Sequence, residues 1–493
     1  MPLTEKSPAE RLSASNLPAR LPYDRSRVTP GMVHLGVGAF HRAHVASYVD
    51  DVLKFNPSWG IIGASLRRPD TRHALAPQDF LYTLVTRSGA ATEMRVIGSI
   101  LDVLDAATQR SELIAWMTDP HVHIVSLTVT EKGYCHDPAT GALNPDHPDI
   151  VHDLERPEAP VSAPGLIARA LELRQAAGVP PFTVLCCDNL PANGETTRRI
   201  LTDFADMRHH RLADHIRDEV AFPSTMVDRI VPATTEADRR FVFDTTKVLD
   251  AWPVVTEPFT QWVIEDRFSD ARPPLEFVGA ELVADVRPFE LMKLRMLNGS
   301  HSLLAYLGYL AGYRLVNEAI ADPVFRRLIH NFMTEEVIHT LPQELGRLRA
   351  YRDALLDRFT NQALMHRLAQ IAMDGSQKLP QRLLGTIRDC LTRGLPIAHA
   401  ALGVAAWMRY VTGVDERGAA IEIKDPLAQQ LQSISKSAAG SAKHLGDGLL
   451  RMTEIFDSDL PRNDCFREIL ERHLNSLFAR GAQETAFDLV HKR

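Results

Sequence analysis

The segment Lys293-Leu-Arg-Met-Leu-Asn298-Gly-Ser-His301 puts a primary amine, a carboxamide and an imidazole into a run that is otherwise apolar. Leu291, Met292, Leu294, Met296, Leu297, Leu303, Leu304 and Leu307 fall nearly all round a helix, which predicts a buried helix. At about 100° per residue, Lys293, Asn298 and His301 lie within an arc of about 140°, so all three can face one cleft. Burial removes hydration from a lysine and lowers its pKa. An amine working near pH 7 to 8 rather than about 10.4 is a general acid/base, and that shift of roughly three units is worth about 4 kcal/mol in favour of the neutral form. Neutral, it takes a proton from an alcohol; charged, it returns one to a carbonyl. Asn298 can donate an amide N–H to the developing alkoxide, a contact worth about 3 kcal/mol in a transition state. Gly299 costs the helix about 1 kcal/mol relative to Ala, which points to close approach of another backbone or of a ligand. The same spacing also fits a snorkelling lysine, a packing asparagine and a core histidine. Spacing alone leaves both readings open.

A second set of residues lies earlier in the chain. Gly36-x-Gly38 follows a strand-like run and opens a helix, the position where backbone N–H groups cradle a dinucleotide pyrophosphate. His41 stands where the usual third glycine would be, and the alternative is a plain strand-to-helix turn. The acidic residue that holds the ribose normally comes about 20 residues after the glycines, near the end of the second strand. Asp70 is the candidate, although Arg67 and Arg68 beside it can instead accept a 2′-phosphate. Asn189 closes Cys-Cys-Asp-Asn at the carboxyl end of a strand, where open α/β sheets bind ligands; it also fits a turn, as does Asn193-Gly194.

These residues need elements to position them. Strand-like runs cover Met32–Gly38, Trp59–Leu66, Asp79–Arg87, Glu93–Ile100, His121–Glu131 and Pro181–Asn189, with helices over 42–53 and 165–178. Strands alternating with helices predict an α/β fold, a Rossmann-like, doubly wound parallel sheet. After Lys293 the pattern turns helical, including a long helical run over 351–373. The predicted domains are a dinucleotide-binding domain over 1–285 and a mostly α-helical domain over 286–493. The segment 433–448, rich in Ser, Gly and Lys, reads as a surface loop.

The chain of 493 residues is too long for one core. A net charge of -7 gives no support for a nucleic-acid partner. No apolar run is long enough to span a bilayer, and the N-terminal stretch lacks the apolar core of a secretory signal. The five cysteines, Cys135, Cys186, Cys187, Cys390 and Cys465, form no C-x-x-C, which argues against a disulfide scaffold or cysteine zinc site and for a reducing, cytoplasmic setting.

With these residues in place the chain resembles the mannitol dehydrogenase family of long-chain, zinc-independent polyol dehydrogenases. The family pattern K-x-x-x-x-N-x-x-H is matched by Lys293, Asn298 and His301; G-x-G-x-F-H-R-A-H by Gly36, Gly38, Phe40, His41, Arg42 and His44; C-D-N by Cys187-Asp188-Asn189; and M-V-D-R-I by Met226 to Ile230. The resemblance implies NAD as cofactor, with Gly36, Gly38, Phe40, His41, Arg42, Asp70, Glu131, Asn189 and Asp228 around it. It implies an active site between two domains, no metal, Lys293 as acid/base, Asn189 and Asn298 as oxyanion hole, His301 on substrate hydroxyls and Asp228 lining the site. Glu290 matches a position that exchanges protons with solvent, and Lys378 a substrate-contacting lysine.

VSLTVTEKGYC, EPFTQWVIED, LMKLRMLNGSHSLLAYLGYL and QIAMDGSQKLPQRLL resemble the family's members that interconvert D-mannonate and D-fructuronate by hydride transfer at C5. Mannitol dehydrogenases carry an arginine eight residues before the lysine of D-G-S-x-K; here that residue is Gln370, so the substrate end has changed. A mannitol, arabinitol or sorbitol dehydrogenase is the alternative. Asp374-Gly375 reads as a turn and Pro380 as a helix limit, so the segment carrying Lys378 and Arg382 is expected to be a loop. The planar fork of Arg382 suits a carboxylate bidentately, and a plain surface arginine is the competing reading.

Two further classes compete. A metal-dependent alcohol dehydrogenase would use His41 and His44 at i and i+3, but no Cys or Glu set of zinc-ligand spacing accompanies them. A nucleotide-sensing protein on the same fold would not need Lys293, Asn298 and Asn189 together. The expected partner is a small hexuronate, aldonate or polyol, without nucleic acid or membrane. A monomer and an oligomer are both compatible with the sequence.

Overall fold

Short runs of Val, Ile and Leu make the strands of the first unit. In the computed structural model, which describes residues 10–89, 91–137, 140–362 and 365–491, these are β1 (Pro30–Leu35), β2 (Gly60–Ser65), β3 (Tyr82–Ser88), β4 (Ala91–Ile97), β5 (Ile100–Asp105), β6 (Ile124–Leu127), β7 (Thr183–Cys186), β8 (Thr225–Asp228), β9 (Val254–Thr256), β10 (Gln261–Glu265) and β11 (Glu281–Val283). The N-terminal stretch through residue 9, read above for a leader, lies outside the described residues. Two compact units divide the chain, Met1–Arg287 and Pro288–Arg493. Among the described residues no helix is long and apolar enough to cross a membrane.

The main sheet has the order β5-β2-β1-β6-β7, and every pairing in it is parallel. β2, β6 and β7 are buried along their whole length, as strands covered on both faces must be. The helix Ala163–Ala177 covers part of one face; Ser162 caps its start and Gly178, at φ 66°, ends it. β1 pairs with β2 on one side and with β6 on the other, so the strand order reverses between β1 and β6. That reversal is a topological switch point, and ligands of open α/β sheets bind outside it at the strand carboxyl ends. Two small sheets, β11-β10-β8 and β4-β3-β9, complete the unit. The helix expected over 42–53 is in fact two, Ala39–Ala43 and Val45–Val52, broken at His44 where the backbone leaves helical geometry (φ -114°, ψ -86°). The run Glu93–Ile100 likewise divides between β4 and β5.

The second unit is helical. Its central helical run starts at Arg287–Met292, passes through a π-helical turn at Lys293–Asn298 and continues as Gly299–Leu310. The last part is buried nearly all round, as its sequence requires. It packs against Ala398–Tyr410, which in turn packs against the C-terminal segment Asp464–His491, two helices broken at Gly481 (φ 83°, ψ 176°). The helical pattern over 351–373 breaks: the helix Leu345–Phe359 stops, and a short one, Leu368–Ile371, follows, with residues 363–364 outside the description.

Two expected loops are helical. Ser433 to Gly448 contains the end of Ala428–Ser437 and most of Ala442–Leu449, joined through Ala439 and Gly440 at positive φ. Leu445 within it, and Leu431 and Leu449 just outside it, supply the buried contacts that fold this polar segment into helices. The segment after Asp374 is the helix Gly375–Leu379, which runs through a second π-turn, Pro380–Leu384, into Gly385–Thr392. Pro380 does not end the helix. The wider π-turn takes up the clash that a proline ring makes with the carbonyl four residues back.

Candidate active site

In the first unit the chemistry gathers at the ends of β1, β6 and β7. Gly36 has φ +94°, and a Cβ there would lie 2.3 Å from the Thr128 carbonyl oxygen, so only glycine fits. Thr128 Oγ1 donates to the Gly36 carbonyl at 2.8 Å and contacts Nε2 of the buried His34 at 2.8 Å, tying the end of β1 to that of β6. Gly38 is exposed, and a Cβ on it would meet nothing nearer than Gly36 O at 3.9 Å. Packing does not require glycine at this position, whereas close approach of a pyrophosphate does. This turn, at the switch point and before Ala39–Ala43, fits a dinucleotide.

The neighbouring candidates fall into two groups. Phe40 is half-buried and stacks on His44 at 4.9 Å. The side chains of His41 and Arg42 are fully buried. His41 stacks on His34 at 3.5 Å, and Arg42 donates to the Trp252 carbonyl. Both side chains therefore pack and hold the turn rather than presenting polar atoms to solvent. Asp70 is exposed in the first turn of Asp70–Leu75 and pairs with Arg68 at 3.2 Å, while Arg67 pairs with Asp149 at 2.6 Å. Glu131 is exposed at the start of a 3-10 turn, Glu131–Tyr134. Asn189 is exposed just beyond β7, and Asp228 is buried at the end of β8.

Sequence reading named Asp188 only as part of the C-D-N match and gave no role to this residue, which holds the edge together. Asp188 accepts N–H bonds from Val129 at 2.9 Å and Thr130 at 3.0 Å and the Tyr134 hydroxyl at 2.8 Å. It fixes the loop leading to Glu131 and lies next to Asn189. Burial pushes its carboxyl pKa up, against those three hydrogen bonds. Asn193 is also more than a turn residue: its amide donates to the Cys186 and Thr225 carbonyls at 3.2 and 3.0 Å, bridging β7 to β8. The signal for both was their place beside Asn189 in one short motif.

In the second unit the expected arc needs revision. Lys293 and Asn298 are the first and last residues of the π-turn. A turn closed by i→i+5 bonds brings residues five apart to neighbouring positions on one side of the helix, nearer than the about 140° of a regular α-helix. Both side chains are half-buried. His301 is buried, packed against Phe359 at 4.7 Å and edge-on to His366 at 5.1 Å. Its burial, with His366, Arg382 and Arg358 nearby, holds its pKa well below 6.5, so the ring is a neutral hydrogen-bonding group. Glu290 is half-buried in Arg287–Met292, just before the π-turn.

Gly299 has a packing cause. A Cβ there would lie 3.1 Å from the Arg382 carbonyl oxygen and 3.2 Å from the Phe332 ring. Arg382 belongs to the second π-turn, and Phe332 opens a third, Phe332–Val337. Three π-turns thus meet at one glycine.

Arg382 is not a free surface side chain. It is half-buried, with Nη1 3.1 Å from Ser302 Oγ and 3.5 Å from the Asn298 carbonyl. Burial lowers its pKa, with Tyr306 opposing, and among the described residues no carboxylate pairs with it. Lys378 donates to the Met373 carbonyl at 2.6 Å and lies 3.9 Å from Asp374. Gln370 is exposed on Leu368–Ile371.

Among the described residues no group of three ligand atoms includes His41 or His44; His41 stacks on His34, and Nε2 of His44 lies 2.9 Å from the Gln261 carbonyl. Among the described residues one possible ligand group converges, Cys135, His147 and Asp149. There Asp149 is already paired with Arg67, and His147 Nδ1 accepts the Asp149 N–H at 3.2 Å.

Residues 30–277 match the mannitol dehydrogenase Rossmann domain and residues 285–478 the mannitol dehydrogenase C-terminal domain. The chain is 46% identical over 477 residues to D-mannonate oxidoreductase of Escherichia coli (strain K12), covering 95% of this chain and 98% of that protein. It is 41% identical over 474 residues to mannitol 2-dehydrogenase of Aspergillus fumigatus, covering 94% of each. The solved ternary complex of Pseudomonas fluorescens mannitol 2-dehydrogenase with NAD and D-mannitol superposes with a TM-score of 0.85 at 41% identity, over 98% of this chain and 100% of that one.

Proposed function

The chain belongs to the mannitol dehydrogenase family, and from that premise we propose that it interconverts D-mannonate and D-fructuronate with NAD. NAD, held at the Gly36–Gly38 turn, would supply the hydride chemistry at C5. The chain's own residues handle the proton and the charge. Lys293 in its charged form gives a proton to the C5 oxygen of the ketone, and in its neutral form removes one from the alcohol. Asn298 and Asn189 are the amide donors for the oxygen as it gains charge. His301, held neutral, orients substrate hydroxyls. Glu290, one turn before Lys293, returns the proton to solvent. Asp228 and Lys378 are further polar contacts, and no metal takes part.

Arg382 is the observation that favours a uronate over a polyol. A half-buried guanidinium with a hydroxyl and a carbonyl as neighbours, and no described carboxylate as partner, lacks its counter-charge. Fructuronate differs from fructose by one carboxylate, and an anion at Arg382 would restore that balance. Gln370, where mannitol dehydrogenases have an arginine, fits the same change of pocket. The similarity to D-mannonate oxidoreductase supports the reading, and the mannitol 2-dehydrogenases at 41% identity support the alternative.

The test is NADH oxidation across a panel of uronates and ketoses, with and without a chelator. Higher kcat/KM for fructuronate than for fructose, unaffected by chelation, is the expected result. A preference for neutral ketoses would replace the uronate reading with the polyol one. Loss of activity on chelation, restored by zinc, would refute the metal-free mechanism.

A further inference from the structure

Arg295 has no part in the chemistry above, yet it lies inside the turn that carries Lys293 and Asn298. Its side chain is only 8% exposed. Nη1 pairs with Asp389 Oδ2 at 2.6 Å and reaches the Thr340 carbonyl at 3.5 Å. Asp389 sits on Gly385–Thr392, the helix that continues the second π-turn. Thr340 ends the 3-10 turn Ile338–Thr340, which continues the third. One side chain therefore joins the helix of the amine and amide to both other segments that contain a π-turn. At the end of the same turn, Gly299 is pressed between the Arg382 carbonyl and the Phe332 ring.

π-Turns are rare, appear mostly as single turns inside α-helices, and recur at functional sites. An irregular backbone of this kind persists where its surroundings over-determine it. Regular α pitch would turn Asn298 away from Lys293 by the about 140° expected from the sequence. We propose that Arg295, paired with Asp389, is a positioning residue that holds the Lys293–Asn298 turn in its π form and thereby sets the amide beside the amine for proton transfer. This rests on the roles given to Lys293 and Asn298 above. Arg295 touches neither substrate nor cofactor in this account; it acts through the turn.

The test uses the full chain with Arg295→Met, Arg295→Lys and Asp389→Asn. Steady-state kinetics are measured with the ketone that the native enzyme reduces, together with NADH affinity by fluorescence, Tm, and hydrogen exchange of the amides from Met296 to Ser300. Asp389 is 42% exposed, so losing its partner leaves a carboxylate that water can reach. Arg295→Met is expected to lower kcat by about 30-fold or more, with KM and NADH affinity within about threefold of native and the pH midpoint of kcat displaced. Arg295→Lys should recover part of the loss, and Asp389→Asn should show a smaller loss of the same kind. Exchange should quicken at Met296 to Ser300. A folded Arg295→Met enzyme with kcat within about threefold of native and an unmoved pH profile overturns the proposal. If Arg295→Met does not fold, native kcat and native exchange in Asp389→Asn overturn it instead. If the native enzyme reduces nothing in the panel, the proposed function fails by itself, and hydrogen exchange alone then decides whether Arg295 holds the turn.

Discussion

Lys293 and Asn298 stand at opposite ends of one π-turn, so the amine and the amide are successive positions on one side of a helix rather than points on a wide arc. That relationship suits the proposed joint role, in which one group moves a proton on the oxygen whose charge the other receives. Lys293→Ala should remove nearly all turnover and leave NADH affinity close to native, because the nucleotide turn at Gly36 and Gly38 belongs to a separate unit. Retention of most activity near neutral pH would show that Lys293 is not the acid/base.

Gly299→Ala tests the packing at the end of that turn. Helix propensity favours alanine by about 1 kcal/mol. The new methyl group would sit 3.1 Å from a backbone carbonyl and 3.2 Å from the Phe332 ring. The carbonyl belongs to a second helix and cannot move alone, so overpacking of about 1–3 kcal/mol should outweigh the propensity gain. The expected outcome is a lower Tm and a lower kcat; a raised Tm with native kcat would show that the three π-turns have slack.

Much of the candidate site was legible from residue type. Glycines after a strand, an asparagine at a strand end and polar groups in an apolar helix all mark themselves, and the alternation of strands and helices gave the parallel sheet. The π-turn was not legible, because helical spacing assumes 3.6 residues per turn. What fixes the departure lies far along the chain: the Arg382 carbonyl, the Phe332 ring and the Arg295–Asp389 pair. Pro380 misled for the same reason, since a proline ends an α-helix unless the turn around it is wider. Asp188 was passed over because its partners, Val129 and Thr130, come from another strand end.

Buried histidines set an acid limit on stability. His34 is fully buried between Ser126 and Thr128, and its pKa is lowered to about 3 by that burial. In the unfolded chain it protonates near 6.5. The folded state resists that proton, so its contribution is intact above about pH 6.5 and is lost as pH falls toward 3, at about 1.4 kcal/mol per unit. His41 and His301 are also lowered and act in the same direction. Unfolding free energy should drop between pH 6.5 and 5, by about 2 kcal/mol for His34 alone. His34→Gln, which cannot titrate, should show a shallower slope; an unchanged slope would place the acid sensitivity elsewhere.

Cofactor choice is predicted to turn on Asp70. Both arginines that could hold a 2′-phosphate already face carboxylates, Arg67 on Asp149 and Arg68 on Asp70. Exposed pairs of this kind are worth no more than about 1 kcal/mol, so the charge of Asp70 should matter more than the pairing itself. Native enzyme should prefer NADH, and Asp70→Ala should raise the ratio of kcat/KM for NADPH over NADH by about tenfold, or 1.4 kcal/mol. Equal or better efficiency with NADPH in the native enzyme would refute the assignment.

For the uronate proposed above, the substrate carboxylate is the remaining charge to place. Arg382 lies on a helix rather than on a mobile loop, so its guanidinium is held in place near Ser302 and the Asn298 carbonyl. Preorganisation of this kind means that a bound carboxylate gains two parallel N–H bonds without ordering the arginine first. Removing one partner of a desolvated charge pair costs about 2–4 kcal/mol. Arg382→Ala should therefore weaken fructuronate by that amount while leaving neutral ketoses such as fructose nearly unchanged, or improving them, since no carboxylate is lost there. The variant also keeps the Arg382 backbone carbonyl that packs on Gly299, so the π-turn itself should survive the change. The measurement is the ratio of kcat/KM for fructuronate over fructose in native and variant enzyme. A fall of at least about tenfold, or 1.4 kcal/mol, is expected. An equal loss on both substrates would mean that Arg382 supports the turn rather than the carboxylate, and an unchanged ratio would leave the uronate preference to other residues.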